Sequence, residues 1–313
     1  MNAKKSLTCL VLWSLAACGW QKGLDSVALA SLYTVPMPPP TTPLSVYHIG
    51  HSLVNRDMPA MLEQLAGEGH GHRSQLGWGV TLRSHWEPGE SINGFEQEND
   101  HPRYMDAMSA VRGGKFDALV LTEMVEIKDA IRHFDSPEYL RRWAREARAA
   151  KPAIRVYLYE TWHQLNDPKG WLERLDEDLP LYWEGELLAK SLAHNDTGGP
   201  IYVIPAGQVM AQWVRRIEGP GKLPGMSTRQ DLFARNADGT QDNIHLNDLG
   251  NYLVALTHYA VLYHRSPAGL PHRLKRADGS EATAPEPETA RAMQETVWEV
   301  VTRYPKTGVR QVD

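Results

Sequence analysis

From residue 44 onward the chain alternates between short apolar runs and longer stretches with apolar residues every three or four positions. Residues 44–49 read as a buried strand and 58–66 as an amphipathic helix. Residues 75–82 form a second strand candidate, carrying Gly77 and Gly79. Residues 104–111 look helical, and 116–121, set off by Gly113 and Gly114, are a clear buried strand. A charged amphipathic helix at 137–150 stops at Pro152, and a strand at 154–159 follows. Residues 171–193 predict a helix with a break at Pro180, 201–204 a fifth strand, and 246–263 another helix. After a polar, Pro-containing loop at 267–287, residues 284–304 predict a surface helix. Strands alternating with helices imply a parallel sheet covered on both faces, so the pattern predicts a three-layer α/β sandwich of about five strands. Sites in such sheets form at the carboxyl ends of the strands.

The first residues break this pattern and are set aside as a targeting segment. Lys4 and Lys5 precede an apolar core at 6–17, and Leu15-Ala16-Ala17-Cys18-Gly19 resembles the bacterial lipobox, in which the Cys is lipidated. The alternative is an ordinary signal peptide cut after Ala30, and both readings export the protein to the periplasm or cell envelope. Five prolines between 33 and 43 read as an extended stalk. The expected organisation is therefore a leader at 1–18, a Pro-rich linker at 19–44 and one α/β domain at 45–313. Contact with a membrane is expected only through the lipid on Cys18.

Composition narrows the function classes. The net charge of −5 lacks the basic excess of a nucleic-acid binder. The only cysteines, Cys9 and Cys18, sit in the leader, which removes disulfides, thiol nucleophiles and thiolate metal sites from the folded part. His70-Gly71-His72 has the look of a metal pair but lacks a third ligand at telling spacing, and reads as an exposed helix end.

Two motifs carry the candidate chemistry. Gly50-His51-Ser52-Leu53 ends the first strand, and Asp242-Asn243-Ile244-His245-Leu246 opens the helix after the fifth. A serine hydroxyl is a poor nucleophile without a base in hydrogen-bond reach. An Asp three residues before a His allows one loop to supply both the base and the group that orients it.

This pairing resembles the SGNH (GDSL-like) hydrolase superfamily, whose first block is Gly-x-Ser-Leu and whose last is Asp-x-x-His-Leu. The resemblance spans about residues 45–264 and implies a flavodoxin-like sheet. It implies Ser52 as nucleophile, His245 as base and Asp242 as its orienting acid. It also implies an oxyanion site from the Ser52 backbone N–H, Gly79 in Gly77-Trp78-Gly79, and a third-block residue. Where the family has Gly-x-Asn this chain has Thr122-Glu123-Met124, so Thr122 or Glu123 takes the Asn position; His51 replaces the usual Asp. Trp162 and Gln208, at later strand ends, are candidate substrate contacts. Among the ten tryptophans, Trp78, Trp86, Trp162, Trp171, Trp183 and Trp213 can stack sugar rings or pack in the core. The resemblance implies an ester hydrolase without cofactor or metal, acting on a small-molecule or polysaccharide ester and removing acetyl or another small acyl group from a carbohydrate. A non-catalytic carbohydrate-binding lipoprotein and a lipid esterase are the rival readings.

Overall fold

Five strands form one sheet: β1 (Ser45–His51), β2 (Gly71–Gly77), β3 (Ala118–Leu121), β4 (Arg155–Glu160) and β5 (Tyr202–Pro205). Their spatial order is β2-β1-β3-β4-β5 and every neighbouring pair is parallel. That is the flavodoxin-like order, so the predicted three-layer α/β sandwich is the architecture found. The computed structural model describes residues 22–220 and 222–310, and Cys18 lies outside them.

The apolar runs form strands because helices cover both faces of the sheet. One layer contains Asp57–Ala66, Ala206–Glu218, Asp248–Tyr263 and Pro287–Arg303, which pack on one another. The other is centred on Ser136–Ala150, packed against Ala107–Arg112 and Leu179–Leu188. Asp248–Tyr263 is buried almost throughout, as its largely apolar sequence requires. Pro287–Arg303 is more than a surface helix, because Ala290, Met293, Val297 and Val301 are buried in the core.

Three expectations change. β2 lies at Gly71–Gly77 instead of 75–82. The chain turns after Gly77, Gly79 has φ +58°, and Leu82 starts a helix capped by Thr81. His70 and His72 are consequently buried at the start of β2; His70 Nδ1 lies 2.7 Å from the Tyr263 hydroxyl. The Pro-rich segment is no free stalk. Leu29, Tyr33 and Met37 are buried, the Tyr33 hydroxyl donates to the Ile201 carbonyl at 2.7 Å, and Met37 N–H donates to the Gly308 carbonyl at 3.1 Å.

The topology itself marks a site. From β1 the chain passes to β2 on one side and later returns to β3 on the other. The crevice at such a switch point is where open α/β sheets bind ligands, and Ser52 is the first residue past β1.

Candidate active site

Ser52 stands in a tight turn closed by Val54 N–H donating to the His51 carbonyl at 2.9 Å. Gly50 permits this turn, because a Cβ there would collide with the Thr122 methyl group. His51 locks it from below. Its Nδ1 accepts from Leu53 N–H at 3.3 Å, which leaves Nε2–H to donate to the Glu123 carbonyl at 2.8 Å. Burial pushes the His51 imidazole down to about 4, so it is neutral at physiological pH and acts as a fixed strut. The Tyr159 hydroxyl donates to the Leu53 carbonyl at 3.2 Å. Asn55, at φ +46°, accepts from Asp57 and Met58 N–H and donates to Asn251 Oδ1 at 2.8 Å. The nucleophile turn is thereby tied to the helix that follows His245.

Asp242 and His245 lie on β7 (Gln241–Leu246), which pairs antiparallel with β6 (Phe233–Arg235) across an irregular register. A regular strand would point residues three apart to opposite faces. Here Asp242 Oδ1 accepts from Ile244 N–H at 2.8 Å and His245 N–H at 2.9 Å, which curls the backbone and brings the two side chains together. Asp242 Oδ2 then lies 2.9 Å from His245 Nδ1, and His245 Nε2 lies 3.0 Å from Ser52 Oγ. Partial burial opposes ionisation of Asp242, but the donors from His245 and Ile244 outweigh it and hold the carboxyl below its ordinary value. A carboxylate only accepts, so Nδ1 carries the proton and Nε2 is left to accept from the serine hydroxyl. Ser52 and the Asp242–His245 motif far downstream thus form one directed chain.

The third-block residues stand elsewhere. The Thr122 hydroxyl donates its one proton to the Tyr159 carbonyl at 2.8 Å. The fully buried Glu123 carboxyl accepts from Met124 N–H at 2.9 Å and Leu82 N–H at 3.3 Å, at the start of the Leu82–Trp86 helix. Thr122 has spent its proton, and the Glu123 carboxyl, which burial lifts to about 7, is turned to the Met124 and Leu82 N–H groups. Gly79 is exposed, two residues past Gly77, which is in register with His51.

Trp162 and Gln208 also have their polar groups held by the protein. Trp162 is fully buried, with its indole N–H donated to the Ile244 carbonyl at 2.8 Å, inside the Asp242–His245 segment. Leu165 N–H donates to the adjacent Asn243 carbonyl at 2.8 Å. The Gln208 amide nitrogen donates to the Leu175 carbonyl at 2.8 Å and to Glu160 Oε1 at 3.2 Å. Trp171, Trp183 and Trp213 are buried as well, and Trp86 packs edge-on against Trp143. Asn55, Asn251 and Tyr159 position the site without any motif that sequence inspection singles out, and His51 does so from within the first motif, in the place of its Asp.

Glu160, at the end of β4, is fully buried, and burial lifts its carboxyl from 4.5 to about 8 against the Gln208 and Gly207 donors. Native protein keeps a proton that the unfolded chain releases above about 4.5. The resulting stability is fully present below pH 4.5 and is lost as pH rises through about 8. Glu160→Gln mimics the protonated acid and does not titrate. The thermal midpoint of the wild type minus that of Glu160→Gln should therefore fall between pH 5 and pH 9. A difference independent of pH would show that Glu160 does not titrate on unfolding.

Comparison with known proteins adds little to this geometry. No family model matches the chain, and no curated protein matches it. A crystal structure from Parabacteroides merdae, described provisionally as a GDSL-like lipase, is similar at 12% identity and a TM-score of 0.41. The match covers 72% of this chain and 99% of that one. The functional reading rests on the arrangement of this chain's own residues.

Proposed function

We propose that this chain is a serine ester hydrolase of SGNH type that removes a small acyl group, acetyl foremost, from a carbohydrate. The observation that carries the reading is the directed chain from Asp242 through His245 to Ser52, with bonds of 2.9 and 3.0 Å. Ser52 Oγ attacks the ester carbonyl carbon while its proton passes to His245 Nε2. Asp242 stabilises the imidazolium. The tetrahedral intermediate collapses, the C–O bond to the sugar breaks, and the departing alcohol takes the proton from His245. Water then attacks the acyl-serine, gives its proton to His245, and frees the acid as Ser52 recovers its own. The Ser52 and Gly79 backbone N–H groups are the proposed oxyanion donors, each such donor being worth ~10²–10³ in turnover.

Polar groups near the nucleophile favour a hydrophilic substrate over a long acyl chain. A surface groove of about 620 Å³, reached from the Ser52 turn only through Arg56, is lined by Arg56, Phe95, Glu96, Gln97, Asp100 and Tyr104. The spent hydroxyl of Thr122 supports one rival, a carbohydrate-binding protein without turnover. A fluorophosphonate probe separates the two. It should label wild type and leave Ser52→Ala unlabelled; an unlabelled wild type removes the esterase. Across p-nitrophenyl esters of increasing length, acetate should be preferred, and a preference for long chains would replace the sugar ester by a lipid ester. The leader reading, with Cys18 as lipid anchor and export to the cell envelope, belongs to the same proposal.

A further inference from the structure

Trp78 differs from the other described tryptophans in being half exposed, at 49%, while Trp143, Trp162, Trp171, Trp183 and Trp213 are buried. A single exposed aromatic is common on protein surfaces. The restraint on this one is not. Its indole N–H donates to Glu98 Oε1 at 2.7 Å, and its backbone N–H donates to the Asn93 carbonyl at 2.7 Å. A Cβ at Gly94 would run into the indole atoms Cγ, Cδ2 and Cε2 together, so the ring lies face-down on that glycine. Gly94 sits at φ +67° and heads the short helix Phe95–Asn99 that carries Glu98. One face of the indole is thus seated on backbone, its edge is anchored, and the other face is presented to solvent. Little side-chain freedom remains to be lost when a ligand lies on it.

Its position is as specific as its restraint. Gly77 is in register with His51, so Trp78 and Ser52 are the first residues past the ends of two neighbouring parallel strands. The helix that holds Trp78 through Glu98 also receives Arg56, from the turn after Ser52, on its Gln97 carbonyl. The same helix and Arg56 wall a groove of about 620 Å³ in which Phe95 and Tyr104 stand among charged and amide groups. A flat apolar face, with hydroxyl-binding groups on the helix that holds it, suits a pyranose, which has one C–H face and a rim of hydroxyls.

We propose that Trp78 is the sugar-stacking platform of the substrate site. A pyranose lies on its free face, turns hydroxyls to the groove and presents its acyl ester to Ser52. This deepens the esterase reading and rests on it for the chemistry, though not for the binding.

The test compares wild type, Trp78→Ala and Trp78→Phe on acetylated gluco- and xylo-oligosaccharides and on ethyl acetate, followed by acid release. Trp78→Ala should raise KM for at least one sugar ester about tenfold, a loss of the size that aromatic contacts supply. Ethyl acetate hydrolysis should suffer a clearly smaller loss than sugar-ester hydrolysis, and Trp78→Phe should restore most of the sugar affinity. Equal losses on sugar ester and ethyl acetate, or no loss on any sugar ester, would overturn the platform. Calorimetric titration of the same oligosaccharides into Ser52→Ala and Ser52→Ala/Trp78→Ala needs no turnover. Trp78-dependent binding with no hydrolysis by wild type removes the esterase and keeps the platform. Hydrolysis of ethyl acetate with no Trp78-dependent sugar binding does the reverse.

Discussion

Alanine at position 245 should lower ester turnover by ~10⁴-fold or more, the scale on which residues acting as one catalytic unit fail when a member is lost. His245 Nε2, 3.0 Å from Ser52 Oγ, is the group in the described site placed to take the serine proton. Its side chain is half exposed, so the stability change should stay within about 0.5 kcal/mol. Asp242→Asn makes a subtler change. An Asn oxygen can still accept from Ile244 and His245 N–H, which keeps the curl of the backbone. Its NH₂ group would face His245 Nδ1, however, and favour the tautomer with the proton on Nε2. That nitrogen would then donate to Ser52 instead of accepting from it. Turnover should drop by up to ~10⁴-fold with the thermal midpoint almost unmoved. Measuring acid release and thermal midpoint on the same preparations decides between catalysis and structure. Normal hydrolysis by His245→Ala would end the assignment of all three residues.

The parts of this architecture that were legible in the sequence are those fixed by burial on two faces. β1, β3, β4 and β5 are short, apolar and buried, and they announce themselves as runs. β2 is an edge strand whose residues Gly71, His72, Arg73, Ser74 and Gln75 are mostly polar. Its apolar neighbours Val80 and Leu82 draw the eye to what is a turn and a helix start. The Pro-rich segment is extended as its composition demands, but prolines set local conformation and say nothing of attachment. Its docking depends on Tyr33 and Met37, which are buried while their apolar neighbours Leu32 and Val35 stay exposed.

The site divides in the same way. Ser52, Asp242 and His245 were legible because their chemistry needs particular residue types at a particular spacing. Thr122, Glu123, Trp162 and Gln208 lie at or just past strand ends, as the sequence suggests, but their side chains are held by protein groups. A residue one step past a strand can face solvent or turn beneath the edge, and the outcome is set by backbone groups needing partners. Here the Tyr159, Ile244 and Leu175 carbonyls and Leu82 N–H claim those side chains. Buried backbone groups are rarely left unpaired, which is why polar side chains near a strand end are so often drawn inward.

Trp162 gives this competition its largest expected consequence. Its ring is fully buried, and its N–H holds the Ile244 carbonyl at 2.8 Å, between the acid and the base. Trp162→Ala removes both ring and donor, and should cost about 3–5 kcal/mol in stability through the cavity left behind. Trp162→Phe keeps most of the apolar bulk and removes the donor, at a cost of about 1–3 kcal/mol for the carbonyl left unpaired. The other clamp from this neighbouring loop, Leu165 N–H to the Asn243 carbonyl at 2.8 Å, is one residue further from His245. In Trp162→Phe the imidazole should therefore wander, and kcat should fall about 10- to 100-fold because small misplacements are expensive at the reacting atoms. KM should stay unchanged, since the indole does not reach the substrate. The proton NMR line of the His245 Nδ1–H bonded to Asp242 should broaden in the Phe variant, a readout independent of turnover. If Trp162→Phe keeps both the wild-type kcat and a sharp Nδ1–H line, Trp162 is packing alone, and the β6–β7 hairpin holds His245 without it.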